Sequence, residues 1–338
     1  LLGTAHHETA PLITLARPNC TAGGLLEVRE GRNQKKPSAF PKNKIHMKTI
    51  ASLVAIVASF AVASAGAAEA PKVIDVKVTG SGSPIILIPG LASPGAVWDD
   101  TVKHLALHHQ CHVVTVAGFG GLPPVKSEHL LEDVRDQIIA YMRAQKLEKS
   151  VLLGHSLGGT VALAVGAKAP ELVGRIIVAD SLPFLAAVMM PGVTDAAGAK
   201  ERAASMRATI EKQSPEQFAK YQLEVSIPAM VTKPEDAKRI AELCGKSDAA
   251  TVGQAMNELL TTDLRAELPR ITCPILVIAP LADKLQFAPR PQLETNYKSQ
   301  YTNAKQVRYE FFEKAKHFVM IDDPAGFNAV LDKELGGS

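Results

Sequence analysis

An excess of either charge is lacking in this chain. Its 338 residues carry a formal net charge of only +3, and the small excess is local. Residues 1–70 hold eight of the 37 basic residues and four of the 34 acidic ones, so the remainder stands at −1. No basic face is left to serve as an electrostatic footprint for nucleic acid. Long apolar runs are missing as well. The run Ile50 to Val62 falls short of the roughly 20 residues that cross a bilayer, so no stable membrane anchor is expected. Internal repeats are absent, which excludes a solenoid or propeller.

What that short run belongs to is legible. Met47-Lys48 supplies a positive start, the apolar run follows, and Ala63-Ser64-Ala65-Gly66-Ala67-Ala68 supplies small residues. The pattern predicts a secretory signal peptide over residues 47–67, cleaved after Ala65 or Ala67, and a periplasmic or secreted product. Residues 1–46 show no periodicity and read as an upstream or non-native segment. Cysteine is sparse too. Cys20 falls in that leader, leaving Cys111, Cys244 and Cys273. Three thiols in an exported chain permit at most one intramolecular disulfide, and spacing does not choose the pair. Cys273 opens an apolar strand and reads as core packing.

From residue 72 onward the chain alternates short apolar runs with helical periodicity. Lys72 to Thr79 alternates polar and apolar residues, as an edge strand does. Ser83 to Gly90, His112 to Val116, Val151 to Leu153, Arg175 to Ala179 and Ile275 to Ala279 are continuous apolar runs, the signature of strands buried on both faces. Gln306 to Phe312 is a last strand. Glu128 to Lys146 and Pro324 to Leu335 have helical spacing. Strands alternating with helices predict an α/β fold: a mostly parallel central sheet with helices on both faces. One interval breaks the alternation. Residues 182–268 contain no good strand, only helical patterns interrupted by Pro191, Pro215, Pro228 and Pro234. They read as a helical cap inserted before the penultimate strand, over a core formed by residues 68–181 and 269–338. The cap is rich in alanine and carries Met189, Met190, Met206, Met230 and Met256; flexible thioethers suit variable apolar ligands and helical packing alike.

The chemistry-bearing stretch is Gly154-His155-Ser156-Leu157-Gly158. Three fixed positions of this kind recur by chance in roughly one chain of this length in ten. The context gives the pattern meaning: a buried strand precedes Ser156 and the helical run Thr160 to Ala169 follows it. Glycines two residues to either side let the backbone turn sharply, and the serine then stands at a helix N-terminus that favours developing negative charge. A serine hydroxyl needs a base, and the base needs an orienting group. His317 lies beyond the last strand. Asp283 lies beyond the strand Ile275 to Ala279, and Asp180 directly follows the strand before it. The order Ser156, Asp283, His317 is that of the α/β-hydrolase arrangement.

On these residues the chain resembles a lid-bearing α/β-hydrolase of the bacterial esterase and lipase type over roughly residues 72–335. Ile88-Pro89-Gly90-Leu91 with Trp98 resembles the oxyanion segment, and His317-Phe318-Val319-Met320 the histidine loop. The resemblance implies Ser156 as nucleophile, His317 as general base and acid, Asp283 as orienting acid with Asp180 as its rival, and the backbone N–H groups of Leu91 and Leu157 as oxyanion donors. Proline at 280, where glycine is common, loosens the match at Asp283. The implied activity is cleavage of a small-molecule acyl ester by an acyl-enzyme route, with no cofactor and no metal. Lactone opening and amide or peptide cleavage use the same parts, and a binding protein that kept the fold without the chemistry is the non-enzymatic alternative. Aromatic residues make up only 5% of the chain, with a single tryptophan, which points to an aliphatic acyl pocket. His104, His108, His109, Cys111 and His112 cluster, but no acid completes a metal-ligand set. His155 is expected to be structural and to face away from the reacting side.

Overall fold

The computed structural model describes residues 71–284 and 288–336. The leader segments 1–46 and 47–67, with the expected signal peptide, lie outside the described residues. Seven strands form one sheet: β1 (Ile74–Gly80), β2 (Ser83–Ile88), β3 (His109–Val116), β4 (Ser150–His155), β5 (Val173–Ala179), β6 (Ile275–Pro280) and β7 (Val307–Phe312). They lie in the order β1-β3-β2-β4-β5-β6-β7. Only β1 runs antiparallel, paired with β3, and it is the edge strand its alternating residues predict. Every other pairing is parallel.

The central strands are apolar on both faces because helices cover both. Ile85, Ile86, Leu87 and Ile88 of β2 are all at most 1% exposed, as are Leu152 and Leu153 of β4 and Ile176 to Ala179 of β5. Truncating one such side chain to alanine costs about 2–5 kcal/mol through lost transfer energy and the cavity left behind. The helices between the strands are α1 (Asp99–Leu105), α2 (Leu130–Ala144) and α3 (Leu157–Lys168). A second set lies between β5 and β6: α4 (Ala186–Met189), α5 (Ala196–Glu211), α6 (Pro215–Tyr221), α7 (Ile227–Met230), α8 (Pro234–Cys244) and α9 (Ala249–Thr261). The rest of the chain adds α10 (Arg290–Gln300), α11 (Val319–Asp322) and α12 (Pro324–Leu335). Buried Glu334 ties α12 to the sheet through Arg175 of β5 and Arg308 of β7.

Between β5 and β6 no strand occurs among the described residues, as the sequence pattern predicts. Capping residues start several of these helices. Asp195 accepts from the Gly198 amide, Ser214 and Gln217 form a reciprocal capping box, and Asp248 accepts from Thr251. The stretch between α6 and α7 takes the form of a π-helical turn, Gln222–Ser226. Part of this segment has its own small core, in which Phe184, Met190, Val193, Ala199, Ala203 and Leu260 pack together apart from the main core. The three described cysteines, Cys111, Cys244 and Cys273, are buried free thiols. Burial pushes each thiol up to about 11, so none is a thiolate at neutral pH. Among the described residues no helix is long and apolar enough to cross a membrane.

Candidate active site

The carboxyl ends of β2, β4, β5 and β6 meet at one cavity of about 650 Å³. Ser156 stands at its floor, on the turn between β4 and α3. Its backbone is at φ 52°, ψ −121°, a region a serine enters only when its surroundings enforce it. The surroundings do so from both sides. A Cβ on Gly154 would run into the Gly158 carbonyl, and one on Gly158 into the carbonyl of Ile88. The glycines let the strand, the turn and the helix close on one another. Ser156 is thereby presented at the first turn of α3, where the Leu157 amide has no intrahelical partner. Two more residues lining the cavity hold positive φ without being glycine, Ala92 at 59° and Asp180 at 45°. Backbone strain is concentrated around this cavity.

Leu91 follows β2 in the turn Gly90–Ser93, closed by the Ser93 amide on the Gly90 carbonyl at 3.1 Å. Leu91 lines the cavity, whereas the Leu157 side chain is buried in the core and only its backbone belongs to the turn. Neither amide donates a hydrogen bond among the described residues.

His317 lies in the loop between β7 and α11. Its Nδ1–H donates to Asp180 Oδ2 at 2.8 Å. This corrects the preference for Asp283. The acid on the imidazole is Asp180, one residue past β5, and Asp283 makes no such bond. Two features account for it. Beyond Pro280 the chain stays zipped along β7 and the histidine loop, with the Leu281 amide on Phe312 and the Ala282 amide on Ala315 at 2.8 and 3.0 Å. The Asp283 carboxylate lies 3.6 Å from Lys284 Nζ, and its Oδ1 is buried without a hydrogen-bond partner among the described residues. Asp180 instead leaves β5 through its strained turn, with its amide on Ile278 at 2.8 Å.

Three donors hold Asp180: His317, Lys284 Nζ on Oδ2 at 2.9 Å, and the Tyr297 hydroxyl on Oδ1 at 2.5 Å. Burial alone would raise this carboxyl. The Lys284 charge, the His317 hydrogen bond and the Tyr297 hydroxyl outweigh it and hold Asp180 well below the usual carboxylate range. Burial, reinforced by the Asp180 charge, pushes the Tyr297 hydroxyl far up, so it remains a donor. Ser156 and His317 both line the cavity, and no hydrogen bond joins Ser156 Oγ to the imidazole among the described residues. Such contacts commonly tighten only when substrate binds.

His155 was expected to face away and be structural. It is fully buried, and its Nε2–H donates to the His317 carbonyl at 3.0 Å, the two rings lying 4.5 Å apart. It does not face away: it lines the cavity and braces the histidine loop. Burial and the neighbouring His317 hold it neutral, well below its ordinary value. Asp322 accepts from the Thr232 amide and hydroxyl and from the Lys316 amide, which ties the histidine loop to the chain after α7. Of the clustered histidines, His104 Nε2 meets Asp332 at 2.7 Å, and His112 meets Tyr141 and Gln110.

Lys284 and Tyr297 were missed by the sequence reading. A lysine directly after Asp283 was the visible signal that this acid already had a counter-ion. Tyr297, on α10, carries no motif that would single it out.

Beyond the strand ends, the cavity wall comes from the helices between β5 and β6. Met206 and Ile210 of α5, Phe218 of α6, Met230 of α7 and Met256 of α9 line it. Among the described residues its charged groups are Asp180, Asp283 and Lys284, with the two histidines.

A model of the alpha/beta hydrolase family matches residues 85–330. The pimeloyl-[acyl-carrier protein] methyl ester esterase of Aeromonas hydrophila subsp. hydrophila is 29% identical over 271 residues, covering 78% of this chain and 99% of that protein. The enzyme of that name from Vibrio parahaemolyticus is 39% identical over 108 residues, covering 32% of this chain and 40% of its own length. Among solved structures, an esterase from Exiguobacterium antarcticum matches with a TM-score of 0.65 at 20% identity, covering 78% of this chain and 96% of that one. The enol-lactonase from Burkholderia xenovorans matches with a TM-score of 0.62 at 18% identity and the same coverages. At these identities the solved structures establish the shared fold.

Proposed function

The chain belongs to the alpha/beta hydrolase family, and from that premise we propose that it is an exported serine hydrolase cleaving carboxylic esters. One observation carries the reading: Ser156 and His317 face a single cavity, and the imidazole is tied through Nδ1 to Asp180. Ser156 Oγ attacks the ester carbonyl carbon while His317 Nε2 takes its proton. The carbonyl electron pair moves to oxygen, and the amides of Leu91 and Leu157 receive that oxyanion. Losing one such donor typically costs about 3–4 kcal/mol of transition-state stabilisation. When the carbonyl re-forms, the alcohol departs with the proton from His317, leaving an acyl-serine. Water, deprotonated by His317, repeats the attack and releases the acid. Throughout, Asp180 holds the imidazole in the tautomer that leaves Nε2 free and stabilises its charged form.

The walls of the cavity favour one class of acyl group. An aliphatic acyl group suits a cavity lined by four methionines, Met189, Met206, Met230 and Met256. Among the described residues the one ammonium at the cavity, Lys284, is already faced by two carboxylates, so an acyl group ending in a free carboxylate finds no unpaired cation among them. An alkyl ester is in keeping with the methyl ester named for the Aeromonas relative. The helices of residues 182–268 act in this reading as the cap, and export rests on the segment Met47 to Ala67. The test is labelling by a fluorophosphonate, together with hydrolysis of p-nitrophenyl acyl esters, acyl-homoserine lactones and simple amides. The protein should be labelled at Ser156 and turn over esters fastest, and Ser156→Ala should do neither. Absence of label at Ser156 contradicts the serine-hydrolase reading.

A further inference from the structure

We propose that Lys284 is a positioning residue for His317, acting through Asp180 to keep the imidazole from becoming too basic. The proposal rests on the serine-hydrolase reading above. Lys284 Nζ lies 2.9 Å from Asp180 Oδ2, the same oxygen that accepts the His317 Nδ1–H at 2.8 Å. The lysine side chain is only 28% exposed, and it also donates to the Pro280 carbonyl at 3.3 Å. A half-buried ammonium one hydrogen bond from the oxygen that orients the base is not a surface ion pair. It cancels part of the negative charge that the imidazolium would otherwise face.

Two consequences follow from that placement. The first is geometric. Lys284 on Oδ2 and Tyr297 on Oδ1 clamp the carboxylate from the β6–α10 side, so the strained Asp180 backbone does not relax away from His317. The second is electrostatic. An imidazole beside an uncompensated buried carboxylate holds its proton more tightly, and a protonated His317 is no base for Ser156. With the ammonium in place the proton is held less tightly, and His317 is free to act at lower pH.

The other charged and titratable groups around His317 do not substitute for Lys284. His155, behind the ring from β4, is kept neutral by burial. Tyr297, from α10, is neutral. Asp283 lies 3.6 Å from Lys284 Nζ and supplies no cation. Within the histidine loop, Lys316 turns its ammonium to the carbonyls of Pro228 and Val231 at 3.3 and 3.4 Å, and Asp322 accepts from the Lys316 amide. Lys284 is the cation in contact with the acid that orients His317.

The test is the pH dependence of kcat/KM for a p-nitrophenyl ester, in wild-type protein, Lys284→Met and Lys284→Arg. Lys284→Met removes the charge at similar volume, and its acidic limb should move upward by about one pH unit. Lys284→Arg keeps the charge, and its limb should stay with the wild type. If Lys284→Met does not fold, Lys284→Gln reads the same shift. A fall in kcat with the limb unmoved in the neutral variants overturns the proposal, because a merely structural lysine produces that result. An unchanged profile in every variant overturns it equally. Fluorophosphonate labelling of the wild type separates the two readings: label at Ser156 with an unmoved limb sinks only the role of Lys284, whereas absence of label sinks the hydrolase reading.

Discussion

The carboxyl edge of the sheet and the helices between β5 and β6 border the same cavity but are built by opposite rules. At the edge, the backbone turns and the Asp180 carboxylate are held from several sides. Ser156, Asp180 and Ala92 are held at positive φ, two glycines admit backbone at contact distance, and Asp180 takes three donors on its two oxygens. The helices offer the cavity flexible side chains instead. Met206, Met230 and Met256 line it, a π-helical turn adjoins it, and Val188, Met189, Tyr221, Leu223 and Val225 are apolar yet 43–54% exposed. Reaction geometry tolerates displacements of a fraction of an ångström, whereas an apolar pocket tolerates repacking. The fixed edge therefore carries the bond-making step in this account, and the adaptable wall selects the acyl group.

Perturbing each side in turn sharpens that contrast. The largest effect belongs to the edge: Ser156→Ala should lower kcat by roughly 10⁴–10⁶-fold on every ester, short or long. A loss confined to long acyl chains would mean that Ser156 serves the pocket rather than the reaction. A smaller, selective effect belongs to the wall. Met256→Trp should fill part of the cavity and lower kcat/KM by roughly tenfold on a decanoyl ester, with less than about a twofold change on an acetyl ester. Equal losses on both esters would show that the wall is not independent of the edge.

The smallest effect is on stability. His155 is neutral in the folded protein, well below its ordinary value of 6.5, so just below that pH the unfolded chain binds more protons. The stability it secures is fully present above about pH 6.5 and is lost as pH falls below it, by up to about 1.4 kcal/mol per pH unit. His112, lowered by burial in the same direction, adds to the loss. In thermal melts between pH 8 and pH 5, His155→Gln should start from a lower Tm and fall less steeply than the wild type. A parallel fall would show that His155 does not contribute to the slope.

How far the sequence foretold this depends on the range of the interactions concerned. The strands were legible because burial on both faces forces continuous apolar runs, as in Ile85 to Ile88 and Ile176 to Ala179. The turn at Ser156 was legible because its requirements are local: two glycines, a strand and a helix. The acid was not, because the choice between Asp180 and Asp283 is made by contacts distant in the chain. Lys284 and Tyr297 reach Asp180 across 104 and 117 residues. Both acids end adjacent parallel strands, with Ala179 level with Ile278, so strand position alone does not separate them. Pro280 was the local sign that the β6 loop departs from the usual form. His155 shows the same limit, since a buried imidazole bonded to a carbonyl 162 residues away leaves no periodic trace.

The central claim is that the acid serving His317 stands at the end of β5. Turnover of Asp180→Asn and Asp283→Asn, measured side by side on one p-nitrophenyl ester with folding checked by thermal melting, tests it most directly. Asparagine at 180 keeps the shape but removes the charge and favours the wrong imidazole tautomer, so kcat should fall by about 10⁴-fold. Asparagine at 283 should cost less than about tenfold, the effect expected of a charge that is paired with Lys284 and makes no hydrogen bond to the imidazole. A large loss at Asp283 with a small one at Asp180 would contradict the account.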